Sequence, residues 1–231
     1  MSLKYLLLLA VIFPSWSQAK PYGASVNLSP FAGSANTSTN ETVENNSGVK
    51  ISVDKAFPVI SKFSLGPRIE ASNSFTNTKG SKNNRTQLST YDIRAFGFGL
   101  ISTYEVFSSK PQKQLVYLAS TIGRNYAKIN QDESGEDYYV EKNFHNIKGY
   151  YNDTEVGMNF LVKPTLGFNI GAYYHTNYLN LSGVSATTNG EKLSPEGGLS
   201  LAGDAEEEKQ QLPRNITIYS YGIKLGLNII I

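Results

Sequence analysis

The sequence predicts an all-β fold, an eight-stranded antiparallel up-and-down barrel with four long loops at one rim and three short turns at the other. Apolar and polar side chains alternate along eight runs, which is the period of a β-strand. Long and short connections take turns along the chain, as an up-and-down barrel requires when its long loops share one rim. The chain also ends on "YSYGIKLGLNIII", a strand whose apolar face must be buried in something.

Six of the eight runs alternate cleanly. One face of each carries apolar and aromatic side chains, and the other carries Gly, Ser, Asn and charges of both signs. The runs are "YGASVNLSP", "VKISVDK", "FSLGPRIEASNSF", "YYNDTEVGMNFLV", "TLGFNIGAYYHTNY" and "YSYGIKLGLNIII". No run has helical spacing, so we expect strands throughout.

The fourth and fifth runs are less regular. The fourth, roughly 88–107, begins with Tyr91, Ile93 and Ala95 as its outer set and Asp92 and Arg94 as its inner set. It then reads "FGFGLI", where the phase is lost, and a glycine-marked bulge or bend is one explanation. The fifth, "QLVYLASTIGRNYAKI", has apolar residues on both faces, so its outer face stays open.

The connections complete the pattern. The long ones are rich in Asn, Ser, Thr, Gly and charge, and they cover residues 36–48, 77–87, 129–145 and 182–213. The short ones cover residues 55–61, 108–113 and 163–165, and they contain Pro58, Pro111 and Pro164.

The first nineteen residues predict the route of export. "MSLKYLLLLAVIFPSWSQA" has a basic start at Lys4, an apolar run over 5–13 and a small-residue end. That order is typical of a secretory signal peptide. A retained anchor is the alternative, but the apolar run is too short to span a bilayer. We therefore expect a signal peptide at 1–19 and one barrel domain at 20–231, exported by the general secretory route.

Composition excludes several classes of protein. The chain has no cysteine, two histidines and a formal net charge of +2. A scaffold held by disulfides is ruled out, and a structural zinc site is disfavoured. The near-neutral charge provides no electrostatic footprint for nucleic acid. We expect no cofactor and no metal.

The polar faces indicate which solvent lies outside the barrel. A lipocalin-like soluble barrel would turn its apolar face inward, whereas an outer-membrane barrel does the reverse. Small residues and charges of both signs suit a narrow lumen. Tyrosines near the long loops are typical of an interfacial girdle, and they are Tyr91, Tyr126, Tyr150, Tyr174, Tyr178 and Tyr219. The predicted lumen charge network is Lys50, Arg68, Glu70, Asp92, Arg94, Asp153, Glu155, His175 and Lys224.

A barrel in lipid must also close, because every backbone group of a strand in hydrocarbon needs a partner. The terminal strand should therefore pair with residues 22–35. We expect this C-terminal assembly strand to face lipid with Tyr221, Ile223, Leu225, Leu227, Ile229 and Ile231.

With these features the chain resembles the small eight-stranded outer-membrane β-barrels of the OmpX, OmpA transmembrane-domain and opacity-protein type. Segments such as "FSLGPRIEA" and "TLGFNIGAYY" resemble the glycine-centred strands of that family. The resemblance covers 20–231, although the family's last strand usually ends in Phe or Trp and this one ends in Ile231. It implies a monomeric transmembrane barrel with periplasmic turns in a Gram-negative-type outer membrane. The expected partners are outer-membrane lipid, lipopolysaccharide and the barrel-assembly machinery.

The sequence predicts no catalytic residue. Barrels that resemble lipid A deacylases need a His and a Ser close together, yet neither His145 nor His175 has a serine two residues on. Asp153 and Glu155 share a strand face and suit either acid–base work or a neutralised lumen pair. The acidic run 204–208 suits either a divalent cation or solvent. We expect a protein that is not an enzyme.

Three functions remain open. An eight-stranded barrel is just filled by its own side chains, so we expect a plugged lumen and no substantial pore. The first hypothesis is therefore a structural or surface-interaction protein, such as an adhesin, that contacts a partner through residues 182–213. The second is a narrow, OmpW-like channel for small or apolar solutes, and the third is a lipid-modifying enzyme.

Overall fold

A computed structural model of the chain describes residues 24–37, 42–82, 85–109, 114–134, 138–163, 165–182, 186–193, 199–201 and 215–229. The predicted signal peptide 1–19, the acidic run 204–208 and Ile231 lie outside these ranges. Every regular element within them is a strand. In this part of the chain no helix is long and apolar enough to cross a membrane.

The described residues form eleven strands in chain order. They are β1 Ala24–Thr37, β2 Thr42–Lys55, β3 Phe57–Ile60, β4 Phe63–Lys82, β5 Arg85–Ser108, β6 Gln114–Ser134, β7 Tyr138–Lys163, β8 Leu166–Asn180, β9 Ala186–Leu193, β10 Leu199–Leu201 and β11 Asn215–Ile229.

Eight of these strands close into a ring. β1, β2, β4, β5, β6, β7, β8 and β11 each pair antiparallel with the next, and β11 returns to β1. The closing pair runs from Ala24 opposite Ile229 to Thr37 opposite Ile216. The predicted eight-stranded antiparallel barrel is confirmed, as is its closure by the terminal strand.

Three further strands lie at the ends of the ring. β3 pairs with the start of β4, where Phe57 lies opposite Leu65. At the other end β8 pairs with β7 only from Lys148 onward. Beyond that point β9 takes the place of β8 beside β7, and β10 pairs with β9.

Much of the length of the four predicted long loops is strand in the structure. β2 begins at Thr42, within the predicted loop 36–48. β4 and β5 pair to their ends at Lys82 and Arg85, and β6 and β7 pair as far as Ser134 and Tyr139. Part of 182–213 forms β9 and β10. The polar composition of these segments favours loops. In a hairpin, however, the backbone N–H and C=O groups are paired across the two strands whatever side chains the strands carry.

The central hairpins are much longer than a membrane requires. β4, β5, β6 and β7 contain 20, 24, 21 and 26 residues, against 14 in β1 and 15 in β8. A barrel strand crosses a bilayer with roughly 9–11 residues. At about 3.3 Å per residue, β7 extends for about 80 Å along its path.

The wall of the barrel has two zones. In the turn-side zone, the half of the ring near β3, polar side chains are buried inside and large apolar side chains are exposed outside. Its exposed apolar residues include Val26, Leu28, Ile51, Val53, Ile69, Phe98, Leu118, Ile122, Val156, Ile170, Ile223 and Leu225.

In the loop-side zone the arrangement is reversed, with apolar side chains inside and polar side chains outside. A buried apolar cluster fills the barrel there and consists of Ala35, Tyr91, Ile93, Ala127, Ile129, Phe144, Ile147, Leu179, Leu181, Ile216 and Ile218. Outside the same strands, Arg94, Lys128, Asn130 and Lys148 are exposed. The polar face is therefore inside in one zone and outside in the other.

This reversal corrects the prediction for the fourth run. Tyr91 and Ile93 are each 2% exposed and lie inside, which also removes Tyr91 from the tyrosine girdle. Asp92 and Arg94 lie outside and pair with each other at 2.8 Å, so neither belongs to the lumen network. The prediction that the polar face lines the lumen holds only in the turn-side zone.

The predicted bulge at "FGFGLI" is also wrong. β5 pairs with β6 without a shift from Leu88 to Glu105, and the first irregularity lies between Glu105 and Phe107. The odd residues of β5 face inward along this length, and Gly97 and Gly99 are among them. The phase is continuous, and only the polarity of the two faces changes along the strand.

Candidate functional site in the lumen

A buried charge network occupies the turn-side lumen, and Asp153 on β7 is one of its centres. Lys50 on β2 donates to both carboxylate oxygens of Asp153, at 2.8 and 2.9 Å. Arg68 on β4 donates to the same carboxylate at 3.2 Å. His175 on β8 places Nδ1 2.5 Å from Asp153 Oδ1. Strands from both sides of the barrel therefore meet at one carboxylate.

Glu155 is the second centre, two residues further along the same face of β7. Lys224 on β11 forms an ion pair with it. The hydroxyl of Tyr117 on β6 donates to its Oε1 at 2.6 Å, and Arg68 reaches its Oε2 at 3.4 Å. Because Arg68 contacts both carboxylates, it links the two centres.

The network also includes Asp54, which the predicted set omitted. Its Oδ1 lies 3.6 Å from Arg68, and Ser25 and Asn27 donate to its two oxygens at 2.6 and 2.9 Å. The alternation of "VKISVDK" already placed Asp54 on the face of Lys50, so this signal was present in the sequence.

Charges of both signs face one another inside the barrel. Lys50, Arg68 and Lys224 oppose Asp54, Glu70, Asp153 and Glu155, and Glu70 lies 4.0 Å from Lys50. All of these residues are at least nine-tenths buried. Removing one member would leave its partner buried and uncompensated, which is far costlier than losing an exposed pair.

Aromatic side chains that the sequence did not single out fill the space beside the charges. Tyr151 is fully buried, and its ring lies against glycines of the facing strands. A Cβ at Gly123 would lie 2.3 Å from Tyr151 Cε1, and one at Gly97 would lie 2.8 Å from it. These glycines leave room for the ring, since no larger side chain fits there. Tyr173 stands over Lys50, with the Nζ 4.3 Å from the ring centroid.

A layer of amides lies at the turn-side end of the lumen. Asn169 donates to Asn27 at 2.9 Å and to Asn228 at 3.1 Å, and Asn228 donates to Asn159 at 3.2 Å. A cavity of about 40 Å³ between this layer and the network has room for a few water molecules.

The lumen contains a Ser–His–Asp row whose members are too far apart in the sequence for local spacing to reveal it. Asp153, His175 and Ser220 are cross-strand neighbours on β7, β8 and β11. Ser220 is 1% exposed, and its hydroxyl accepts from Asn46 at 3.5 Å. Among the described residues no hydrogen bond joins Ser220 to His175. His175 thus serves the charge network, and the hydroxyl has neither the base nor the space that an acyl acceptor needs.

The remaining predicted residues lie outside the lumen. On β11, Tyr221, Ile223, Leu225, Leu227 and Ile229 are each 46–63% exposed on the outer wall. His145 lies on the outer wall in an irregular part of β7, next to Asn146, whose φ is 58°. Within the described ranges, no group of three His, Asp or Glu side chains is arranged to hold a metal ion.

No family model matches the chain, and no curated protein matches it. Among solved structures, it is similar to Neisserial surface protein A at 12% identity, covering 90% of this chain and 97% of that one with a TM-score of 0.42. It is similar to the outer membrane protein OprG from Pseudomonas aeruginosa at 10% identity, 90% and 98% coverage and a TM-score of 0.43.

A third similar structure is Ail, the attachment invasion locus protein of Yersinia pestis, crystallised with the heparin analogue sucrose octasulfate. Its identity is 12%, with 89% of this chain and 99% of that chain covered and a TM-score of 0.40. These similar structures are small eight-stranded outer-membrane β-barrels, the family that the sequence resembles.

Proposed function

We propose that this chain is a barrel of a Gram-negative-type outer membrane, with a closed lumen and a structural or surface-interaction role carried by its projecting hairpins. The reversed polarity of the two zones is the observation that carries the proposal. Water on both sides of the wall would not favour such a reversal, whereas lipid around one zone and water around the other would.

The apolar belt supports placement in a membrane. Side chains such as Ile122, Ile223 and Leu225 are 50–69% exposed on the turn-side wall. Soluble proteins rarely expose a contiguous apolar surface that encircles the molecule. The ring also leaves no open edge in this zone, which is the condition for strands in hydrocarbon.

The filled lumen supports a closed barrel. Ion pairs from β2, β4 and β11 cross it to reach Asp153 and Glu155 on β7. Above them the apolar cluster around Ile129 and Phe144 occupies the same axis. Neither layer provides a continuous path for water, which disfavours the alternative of a solute channel.

The long hairpins support a role at the cell surface. β4 to β7 exceed the length of a membrane-crossing strand by about ten residues or more, counted from the roughly 9–11 that a bilayer needs. Their backbone is paired almost to the hairpin ends, so they form a rigid projection. With β9 and β10 from 182–213 added to it, this projection is the surface that we assign to a partner.

The surroundings, assembly and oligomeric state that we propose follow from the apolar belt, the filled lumen and the long hairpins. Outer-membrane lipid and lipopolysaccharide are its surroundings, the assembly machinery inserts it, and the closed ring works as a monomer. We propose no enzymatic activity, because Asp153 and Glu155 are held in buried ion pairs and His175 is bound to Asp153.

Membrane placement is tested by fractionation and gel mobility. The full chain should sediment with outer membranes, require detergent for extraction and migrate differently in SDS gels before and after boiling. A chain that stays in solution without detergent would overturn the proposal and favour a lipocalin-like barrel.

Closure of the lumen is tested in planar bilayers. We expect no conductance steps above leak from the folded chain. Reproducible steps that disappear on heat unfolding would reject the closed lumen and support the channel alternative.

The surface role is tested by shortening one hairpin. Gln131 and Lys142 are opposite residues of β6 and β7, so an Asn-Gly turn joining them replaces 132–141 with a two-residue hairpin. Ile129 and Phe144 remain, and the apolar cluster is kept. Cells that display the full chain should attach to matrix-coated surfaces, and cells with the short hairpin should attach less at equal surface level. Attachment equal to that of cells lacking the protein would reject the role.

A further inference from the structure

The outer wall of β5, β6 and β7 carries a cluster of cations around Tyr126. On β6, Arg124 and Lys128 flank Tyr126 on the same outward face. Across the sheet, Lys148 lies opposite Tyr126, and Arg94 lies opposite Lys128. Directly opposite side chains are about 4.5–5.5 Å apart at Cβ and diagonal ones about 7–8 Å, so Lys148 faces Tyr126 directly and Arg94 lies diagonally from it. With Arg124 and Lys128 two residues away on the same strand, four long cationic side chains lie within reach of the region around Tyr126.

Below this cluster the wall forms an apolar trough. One cross-strand row consists of Ile51, Ala71, Phe96 and Tyr126. The short side chain of Ala71 stands between the larger ones of Ile51 and Phe96. The groove here has a volume of about 530 Å³, within the roughly 300–1,000 Å³ of ordinary ligand sites.

The adjacent row is polar except for Val49 at its β2 end. Val49, Asn73, Arg94 and Lys128 are its cross-strand neighbours, and they line the same groove. The step from one row to the next is the boundary between the exposed apolar belt and the polar loop-side wall. The groove therefore has an apolar floor in the belt and a cationic rim directly above it.

The cations are available to a ligand. Arg94 pairs with Asp92 but keeps 66% of its side chain exposed. Lys128, Arg124 and Lys148 form no ion pair with any carboxylate in the described ranges, and all three are exposed. The cluster is also confined to one side of the barrel. β1 and β8 contain no Lys or Arg, and Lys224, the only one in β11, faces the lumen.

We propose that this groove binds a phosphorylated glycolipid of the outer leaflet, with an acyl chain over Ala71 and phosphate against Arg94, Lys128 and their neighbours. The inference rests on the proposed function, since it takes the belt to be in lipid. A lipid with an anionic head group and an apolar tail matches both rows. The boundary between the two rows lies at the depth where the head group of such a lipid joins its acyl chains. Arg124, which faces outward within the belt, reaches the same head by extending its side chain along the wall.

The test uses the full folded chain in micelles of a neutral detergent. Native mass spectrometry measures retention of a diphosphorylated lipid A, of the same lipid after removal of both phosphates, and of inorganic phosphate. We expect the phosphorylated lipid to bind and the dephosphorylated lipid to bind at least about tenfold more weakly, because each cation near an anionic head contributes appreciably. Inorganic phosphate should not displace the lipid.

Two kinds of variant test the contacts to the head group and to the acyl chain separately. The double variant Arg94→Gln with Lys128→Gln should weaken lipid binding by about tenfold or more. The matched control, Lys62→Gln with Lys163→Gln, removes two exposed cations at the turn-side end and should change nothing. Ala71→Phe fills the trough and should weaken binding of the lipid while both rim cations remain.

Several outcomes would overturn the proposal. Equal retention of the two lipids, unchanged binding by the double variant, or an equal loss in the control would each reject it. Full displacement by inorganic phosphate would show that the groove binds phosphate alone. Heat-modifiable mobility is recorded for every variant, and Lys148→Gln is a second exposed substitution if the double variant does not fold. A wild-type chain that needs no detergent would instead reject the proposed function itself.

Discussion

The turn-side and loop-side zones are built from the same strands and the same two-residue period, yet their faces are exchanged. In the turn-side zone Arg68 and Asp153 are inside and Ile69 is outside. In the loop-side zone Ile93 is inside and Arg94 is outside. The period reports that a segment is a strand, whereas the polarity of its faces reports what surrounds it. In a barrel with two surroundings, the face that points inward must therefore be assigned separately for each zone.

β5 passes from one zone to the other without a break in register. Over 89–105 its odd residues face inward, first as Tyr91 and Ile93 and then as Gly97. Its even residues face outward, first as Arg94 and then as Phe96. The exchange occurs within a few residues, as the proposed placement requires if the surroundings change from water to lipid over that distance.

The largest expected difference in stability is between replacing a cation in the lumen and replacing one on the outer wall. Arg68→Leu should destabilise the folded barrel by about 3–5 kcal/mol, because Asp54, Asp153 and Glu155 lose a buried partner. Arg94→Leu, in the exposed pair with Asp92, should change stability by less than about 1 kcal/mol. Urea titration of the folded fraction, read from gel mobility, measures both. Equal losses would mean that the two zones do not differ in the way described.

A smaller effect compares the two apolar sets. Ile129→Ala, in the loop-side cluster, should cost about 2–5 kcal/mol because the closed interior cannot collapse around the cavity. Ile223→Ala, on the exposed belt, should cost less, since lipid or detergent fills the space that is left. The same titration applies. A larger loss at Ile223 than at Ile129 would argue against a packed loop-side interior.

The smallest effect tests one hydrogen bond. Tyr117→Phe removes a buried donor to Glu155 and should cost about 1.5–3 kcal/mol, the range for a bond to a charged group. Tyr126→Phe, on the outer wall, removes a hydroxyl without a buried charged acceptor and should be close to neutral. Neutral results at both positions would show that Lys224 and Arg68 alone satisfy Glu155.

Much of the fold was predictable because alternation and connection order are local properties. The faces of β1, β2, β8 and β11 follow from residues such as Val26, Lys50, Phe168 and Lys224, each beside neighbours of opposite character. Closure of β11 on β1 followed from the requirement that strands in lipid have no edge. These inferences need no knowledge of distant contacts.

The hairpin lengths were not predictable in the same way. Segments 77–87 and 129–145 are polar enough to be loops, and only their pairing partners decide that they are strands. Gly97 likewise indicated an irregularity, although its role, which it shares with Gly123, is to leave room for Tyr151 from another strand. In each case the deciding contact is remote in sequence.

The sequence by itself determined that the chain is an antiparallel barrel of eight strands, because a two-residue period and alternating connections are written along the chain. Only the tertiary structure decided which face of β5 is inside, how far β4 to β7 project and which carboxylate meets which cation. Those outcomes depend on the surroundings of each level of the barrel and on which residues of facing strands share that level. Neither the period nor the composition of a single strand contains that information.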